Sequence, residues 1–151
     1  MAELMIRKAV PEDAEQIAGL LQELGYPNTA TFAGSKIMEL SRSDNDRLLV
    51  AEEDSAVIGV GHLHVCELFH EPGSLGRIMA IVVRDSHRRS GVGRLLLNTI
   101  EAVAREAGCT KMEITSGVHR DGAHAFYESL GYIEKPRRFV KVLDGGKDDS
   151  S

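Results

Sequence analysis

Residues 78–107 constrain this chain more than any other stretch. The run from Ile78 to Val83 is apolar at every position, as in a strand buried on both faces of a sheet. A polar, arginine-bearing segment follows, and then Gly91-Val92-Gly93-Arg94 opens a long amphipathic pattern. Val92, Leu95, Leu96, Ile100, Val103, Ala104 and Ala107 recur at steps of three and four. That spacing predicts a helix over residues 92–107, with Gly108 just past its end. Strand, tight turn and helix in immediate succession commit the chain to packing a helix back over a sheet. The alternating stretch 111–116, with Met112 and Ile114 on one face, is then the next strand. It must lie parallel to the first through a right-handed crossover.

The remaining elements follow from the same periodicities. Residues 4–10 alternate as a strand. Pro11, Glu12 and Asp13 open a helix that carries Ile17, Leu20, Leu21 and Leu24 and closes at Gly25. Residues 26–28 turn, and residues 31–40 form a second helix on Phe32, Ile37, Met38 and Leu40. Residues 41–46 read as a polar loop. Strands at 48–51 and 57–69 form a hairpin around Glu53-Asp54-Ser55, with Gly59 and Gly61 as weak points in the second. A turn at 70–74 leads to the strand 76–83. After the central unit come a short helix at 122–130, closed by Gly131, and a last strand at 132–143, broken at Pro136. The expected fold is α/β (α+β): a mixed, mostly antiparallel sheet of six to seven strands flanked by about four helices. At 151 residues one domain with one core is expected, over residues 1–143, and the polar residues 144–151 are expected to be a disordered tail.

Composition excludes several classes. A formal net charge of −5 gives no general attraction for nucleic acid. No apolar run reaches membrane-spanning length, and the start Met1-Ala2-Glu3 has no secretory leader pattern. Cys66 and Cys109 have no ligand spacing and read as reduced thiols of a cytoplasmic protein. His62 and His64 are the only close histidine pair. Alternation along a strand explains them better than a metal does, and no metal site is expected.

The glycine segment carries the first chemistry. Glycines one apart permit a tight turn and a close backbone approach. The following helix start presents unpaired N–H groups and the positive end of its dipole, a site for phosphate or pyrophosphate. The dinucleotide fingerprint would need a third glycine where this chain has Leu96, and the Walker loop would need Gly-Lys-Ser/Thr, which is absent. Arg88-Arg89-Ser90-Gly91-Val92-Gly93 instead resembles the coenzyme A pyrophosphate loop, Arg/Gln-x-x-Gly-x-Gly/Ala, of the GNAT acetyltransferase superfamily. A second stretch, Ala123-His124-Ala125-Phe126-Tyr127-Glu128-Ser129-Leu130-Gly131-Tyr132, resembles that superfamily's C-terminal signature. The two stand in the right order with a strand between them.

This resemblance implies an N-acetyltransferase that moves an acetyl group from acetyl-CoA directly to a primary amine of a small molecule. It implies that backbone groups of Ile81, Val82 and Val83, splayed by a β-bulge, pair with the pantetheine arm. Arg88, Arg89, Ser90, Gly91, Val92, Gly93 and Arg94 would hold the pyrophosphate. Tyr127 would protonate the departing thiolate. A homodimer is left open.

The chain departs from the superfamily in two places. The central strand, Gly76-Arg77-Ile78-Met79-Ala80-Ile81, has no carboxylate to serve as general base, which leaves Glu67, Glu113, His119 and His124 as candidates. The asparagine usual before the tyrosine is replaced by Arg120. The pattern around Arg120-Asp121 and Arg138-Phe139 looks most like the aminoalkylphosphonate N-acetyltransferase branch. Arg77, Arg120, Arg137 and Arg138 offer guanidinium groups suited to a phosphonate or carboxylate, so an anionic amine is expected, with Arg77 and His124 as substrate contacts. The alternatives are a protein or peptide N-acetyltransferase, an aminoglycoside-type enzyme, and a module that binds acyl-CoA without turnover. The presence of Tyr127 argues against the last.

Overall fold

A computed structural model describes residues 3–87, 90–114, 123–135 and 139–144, without the side chain of His124. The chain packs as two compact units, Met1–Ile114 and Thr115–Ser151. The first holds β1 (Leu4–Lys8), α1 (Ala14–Leu24), α2 (Ala33–Ser41), β2 (Asp46–Glu53), β3 (Ala56–Glu67), β4 (Ser74–Val83), α3 (Val92–Glu106) and β5 (Cys109–Ile114). The strands form one sheet in the order β1-β2-β3-β4-β5. The first four are antiparallel neighbours, and β5 is parallel to β4 across the α3 crossover. The second unit holds α4 (Ala123–Ser129).

The fold class is as expected, but the described sheet has five strands and not six to seven. The last expected strand does not form at residues 132–135 or 139–143, and residues 136–138 lie outside the described set. Ile133 and Phe139 are almost fully exposed, so their apolar character does not report a buried strand face. Pro136 also has no N–H to give to a ladder.

α1 and α2 cover one face of the sheet. Ile17, Leu20 and Ile37 pack there against Val50, Val57, Val60 and Val82. α1 is entered through a single 3-10 turn, Pro11–Asp13. The buried Asp13 accepts a hydrogen bond from the Val10 N–H at 2.8 Å and pairs with Arg7 at 2.8 Å. The Arg7 guanidinium holds the Asp13 carboxyl below its ordinary range, against the opposing effect of burial.

α3 covers the other face, and the glycines of β3 and β4 make room for it. A Cβ on Gly61 would come within 2.6 Å of Ile100 Cδ1, and one on Gly76 within 2.7 Å of Met112 Sδ and 3.3 Å of Ala104 Cβ. Gly59 and Gly61, weak points by strand propensity, are thus the floor on which the helix rests. The buried face of α3 is Val92, Leu96, Leu97, Ile100 and Ala104. This corrects the sequence-derived stripe by one notch, since Leu95 is exposed and Leu97 takes its place. Three consecutive leucines leave the phase of the stripe undetermined until the glycine floor selects it.

Candidate active site

β4 changes partners along its length. Its parallel register with β5 runs from Ser74↔Cys109 to Ile78↔Ile114. On the β3 side, Leu63 pairs with Ile78 and His62 with Ala80, so Met79 is an extra residue, a β-bulge. Beyond the bulge, residues 80–82 remain in register with β3, and among the described residues no β5 partner faces them past Ile78↔Ile114. Among the described residues, the backbone edge of Ile81 and Val82 away from β3 is where an extended ligand could add as a further strand. Val83 pairs with Gly59 and has a further interaction of its own.

The start of α3 lies after β4 and a 3-10 turn, Asp85–His87. Gly91 is the N-cap, with φ 90° and ψ −3°, and no side chain caps the helix. A Cβ there would meet nothing within 4 Å, so it is the left-handed conformation, and not lack of room, that asks for glycine. Leu95 N–H donates to Gly91 O at 3.0 Å, which closes the first turn. The N–H groups of Val92, Gly93 and Arg94 have no acceptor within the helix by its own geometry. Val92 anchors this start by burial against Ala51 and Ile58. Ser90 Oγ donates to His87 O, and His87 Nε2 lies 3.1 Å from Glu53 Oε1, so the turn is tied back to β2. Arg94 is exposed, and Arg88 and Arg89 lie outside the described residues.

Arg84 belongs to this region and is not singled out by the sequence. Its N–H donates to Ile58 O at 2.8 Å and its Nη2 to Val57 O at 3.2 Å. Its Nε is buried with no partner among the described residues. A buried guanidinium nitrogen without a described partner fits an anionic ligand.

A second cluster lies on the α1/α2 face. Register places Asp46 of β2 opposite His64 of β3, His64 opposite Arg77 of β4, and Arg77 opposite Glu113 of β5. His62, two residues from His64, shares their face. His62 Nε2 lies 2.7 Å and His64 Nδ1 2.9 Å from the same oxygen, Asp46 Oδ1. Ser43 Oγ donates to Asp46 Oδ2 at 2.7 Å. Burial alone would raise the Asp46 carboxyl; the hydrogen bonds from Ser43, His62 and His64 outweigh it and bring the group down to about 2. Arg77 Nε donates to Glu113 Oε1 at 3.0 Å, and its two terminal nitrogens have no partner among the described residues.

This cluster went unrecognised in the sequence because Asp46 reads as loop and the histidines as mere alternation. The usable signal was that alternation, since it puts both imidazoles on one face. Of the base candidates, Glu67 is exposed beside Ser74, at the far end of β4 from the bulge. Glu113 is paired with Arg77. His119, Arg120, Arg137, Arg138 and the His124 side chain lie outside the described set.

In the second unit Tyr127 sits on α4, half-buried, its ring 5.5 Å from that of Phe126 and 6.3 Å from that of Tyr132. Gly131, at φ 94°, ends the helix so that Tyr132 N–H donates to Tyr127 O at 3.1 Å.

An aminoalkylphosphonate N-acetyltransferase of Salmonella typhimurium is 28% identical over 143 residues, which covers 91% of this chain and 90% of that protein. A probable glucosamine 6-phosphate N-acetyltransferase of Drosophila melanogaster is 30% identical over 80% of this chain and 55% of its own length. Among solved structures, an aminoglycoside N-acetyltransferase in complex with CoA superposes with a TM-score of 0.83 at 18% identity, over 95% of this chain and 97% of that one. The sequence profile of the acetyltransferase (GNAT) family matches residues 14–132. The chain belongs to that family, whose enzymes transfer an acetyl group from acetyl-CoA to an amine.

Proposed function

We propose that the acceptor is the primary amine of a small molecule that also carries an anionic group, a phosphonate or a carboxylate. The observation that supports it is Arg77. Its guanidinium is half-exposed on the sheet face and held through Nε by Glu113, and its two terminal nitrogens, without a partner among the described residues, would form a fork for an oxyanion. Two relatives are named for acceptors that join an amine to a phosphonate or a phosphate.

In this reading the pantetheine arm adds to β4 at Ile81 and Val82, with Val83 at the end of the same edge. The pyrophosphate sits on Ser90, Gly91, Val92, Gly93 and Arg94, assisted by Arg84, with Arg88 and Arg89 in the same loop. A backbone N–H on β4 polarises the thioester carbonyl, a role worth roughly 3 kcal/mol per donor. The amine attacks the carbonyl carbon, the C–S bond breaks, and Tyr127 gives a proton to the thiolate. His124 is kept as a substrate contact. Residues 1–143 act as one acetyltransferase domain, and the family match spans both compact units.

The test is release of free thiol from acetyl-CoA with matched acceptors. Aminoethylphosphonate is expected to be acetylated with higher kcat/KM than an uncharged amine of the same length, and Arg77→Gln is expected to remove that preference by raising KM for the phosphonate. Equal rates for charged and uncharged acceptors would overturn the anionic assignment. Preference for an aminoglycoside or a peptide would replace it with that class.

A further inference from the structure

Acetyl transfer to an ammonium cannot begin until its nitrogen loses a proton, and β4 carries no carboxylate to take it. The sheet supplies another group beside the bulge. His62 pairs directly with Ala80, the residue after Met79 and two residues past the last described β5 pairing at Ile78. We propose that His62 is the general base that deprotonates the acceptor amine, with Asp46 as the residue that positions it. This rests on the acetyl-transfer reading of the same site.

The hydrogen bonds fix which nitrogen is available. Asp46 is an ionised carboxylate and accepts only, so His62 Nε2 and His64 Nδ1, both on Oδ1, must each donate. The lone pair of His62 then lies on Nδ1, which has no partner among the described residues and is not one of the buried unpaired atoms. Asp46 holds the tautomer and stabilises the imidazolium that forms, the part a carboxylate plays behind a catalytic histidine. The titratable groups in register on this face are Asp46, His64, Arg77 and Glu113. Arg77 pairs with Glu113 at 3.0 Å, and Asp46 Oδ1 lies 2.7 Å from His62 Nε2. No group of three His, Cys, Asp or Glu among the described residues is arranged for a metal ion.

The proton balance closes. His62 Nδ1 takes one proton from the ammonium, and the free amine forms the C–N bond as the C–S electron pair leaves with sulfur. A second proton leaves the nitrogen and one reaches the thiolate, through Tyr127 in the reading above. His62 returns its proton to water. The products are amide, free thiol and one released proton.

The test compares two nucleophiles across pH. A primary alkylamine acceptor needs a base at neutral pH; hydroxylamine is already neutral there and does not. His62→Asn is expected to lower kcat/KM for the amine by about a hundredfold to ten-thousandfold. The rising limb of its pH profile should move up to the ionisation of the free amine, while transfer to hydroxylamine and the acetyl-CoA-induced rise in melting temperature are retained. Asp46→Asn should give a smaller loss that is again confined to the amine and spares hydroxylamine, and His64→Asn should leave the limb in place. An unchanged profile in His62→Asn, an equal loss with both nucleophiles, or displacement in His64→Asn alone would overturn the assignment. If His62→Asn does not fold, Asp46→Asn decides by the comparison of the two nucleophiles, and an equal loss with amine and hydroxylamine overturns the proposal. If the wild type binds acetyl-CoA yet acetylates no amine, the acetyl-transfer reading falls and the base falls with it. If the wild type is active and the variants keep its profile, only the base falls.

Discussion

Asp46 accepts three hydrogen bonds with a side chain only 10% exposed, and it has little reason to bind a proton. Its carboxyl lies at about 2, well below the roughly 3.9 of an unfolded chain. A depressed carboxylate contributes stability that is complete above the unfolded value and is lost as pH falls through the folded one. At about 1.4 kcal/mol per pH unit the contribution is on the order of 2 kcal/mol. Asp46→Asn is therefore expected to be less stable than the wild type at neutral pH, with a gap that narrows as pH falls from about 5 toward 2. Denaturant midpoints at a series of pH values measure it, and a gap that does not depend on pH would contradict the assigned network. None of this is visible from position 46 alone. An aspartate after Ser-Asp-Asn reads as loop, and only the pairing of β2 with β3 brings it under two imidazoles. The phosphate loop is legible because its chemistry is local, in consecutive residues. The Asp46 cluster is not, because its chemistry comes from cross-strand register.

At the scale of elements, two glycines separate helix propensity from packing. Gly19 is exposed on α1, and a Cβ there meets nothing within 4 Å. Gly19→Ala should raise stability by up to about 1 kcal/mol, since glycine loses more chain entropy in a helix. Gly61 faces Ile100, which is fully buried, and a Cβ would approach Ile100 Cδ1 to 2.6 Å. Gly61→Ala should cost about 1–3 kcal/mol, because α3 must lift or Ile100 must leave its rotamer. Thermal unfolding of the two variants checks the sign of each, and a neutral Gly61→Ala would mean that the helix is not seated on β3. The positions of α1, α3 and β4 could be read from periodicity because each buries a regular stripe. The depth at which α3 sits could not, since it depends on absent side chains in strands far away in sequence. The last strand is absent from the described residues 132–135 and 139–143 for the opposite reason: the sequence alternates there, but Pro136 interrupts the pattern and the apolar side chains at Ile133 and Phe139 are exposed.

On the scale of the whole molecule, the two glycine-bearing signatures fall in different compact units, the phosphate loop within Met1–Ile114 and the Tyr127 helix within Thr115–Ser151. Binding and turnover should then separate under mutation. A ligand that binds only the folded chain stabilises it by mass action, by about 2.7 kcal/mol at a hundredfold excess over Kd. For a chain of this length each kcal/mol moves Tm by roughly 2–4 °C, so saturating acetyl-CoA should raise it by about 5–10 °C. Gly91→Val with Gly93→Val should abolish the rise. Position 91 needs φ 90°, which a β-branched residue adopts only with strain, and side chains at both positions would crowd the open N–H groups of the first turn. Tyr127→Phe should keep the rise and lose turnover, because a proton given to the thiolate matters only as the C–S bond breaks. Calorimetry or dye-monitored melting with and without acetyl-CoA, beside thiol release on the same samples, reads all three. A full rise in the glycine variant would move the pyrophosphate away from α3. A lost rise in Tyr127→Phe would make the phenol a binding or structural group, and unchanged turnover would show that the thiolate leaves without it.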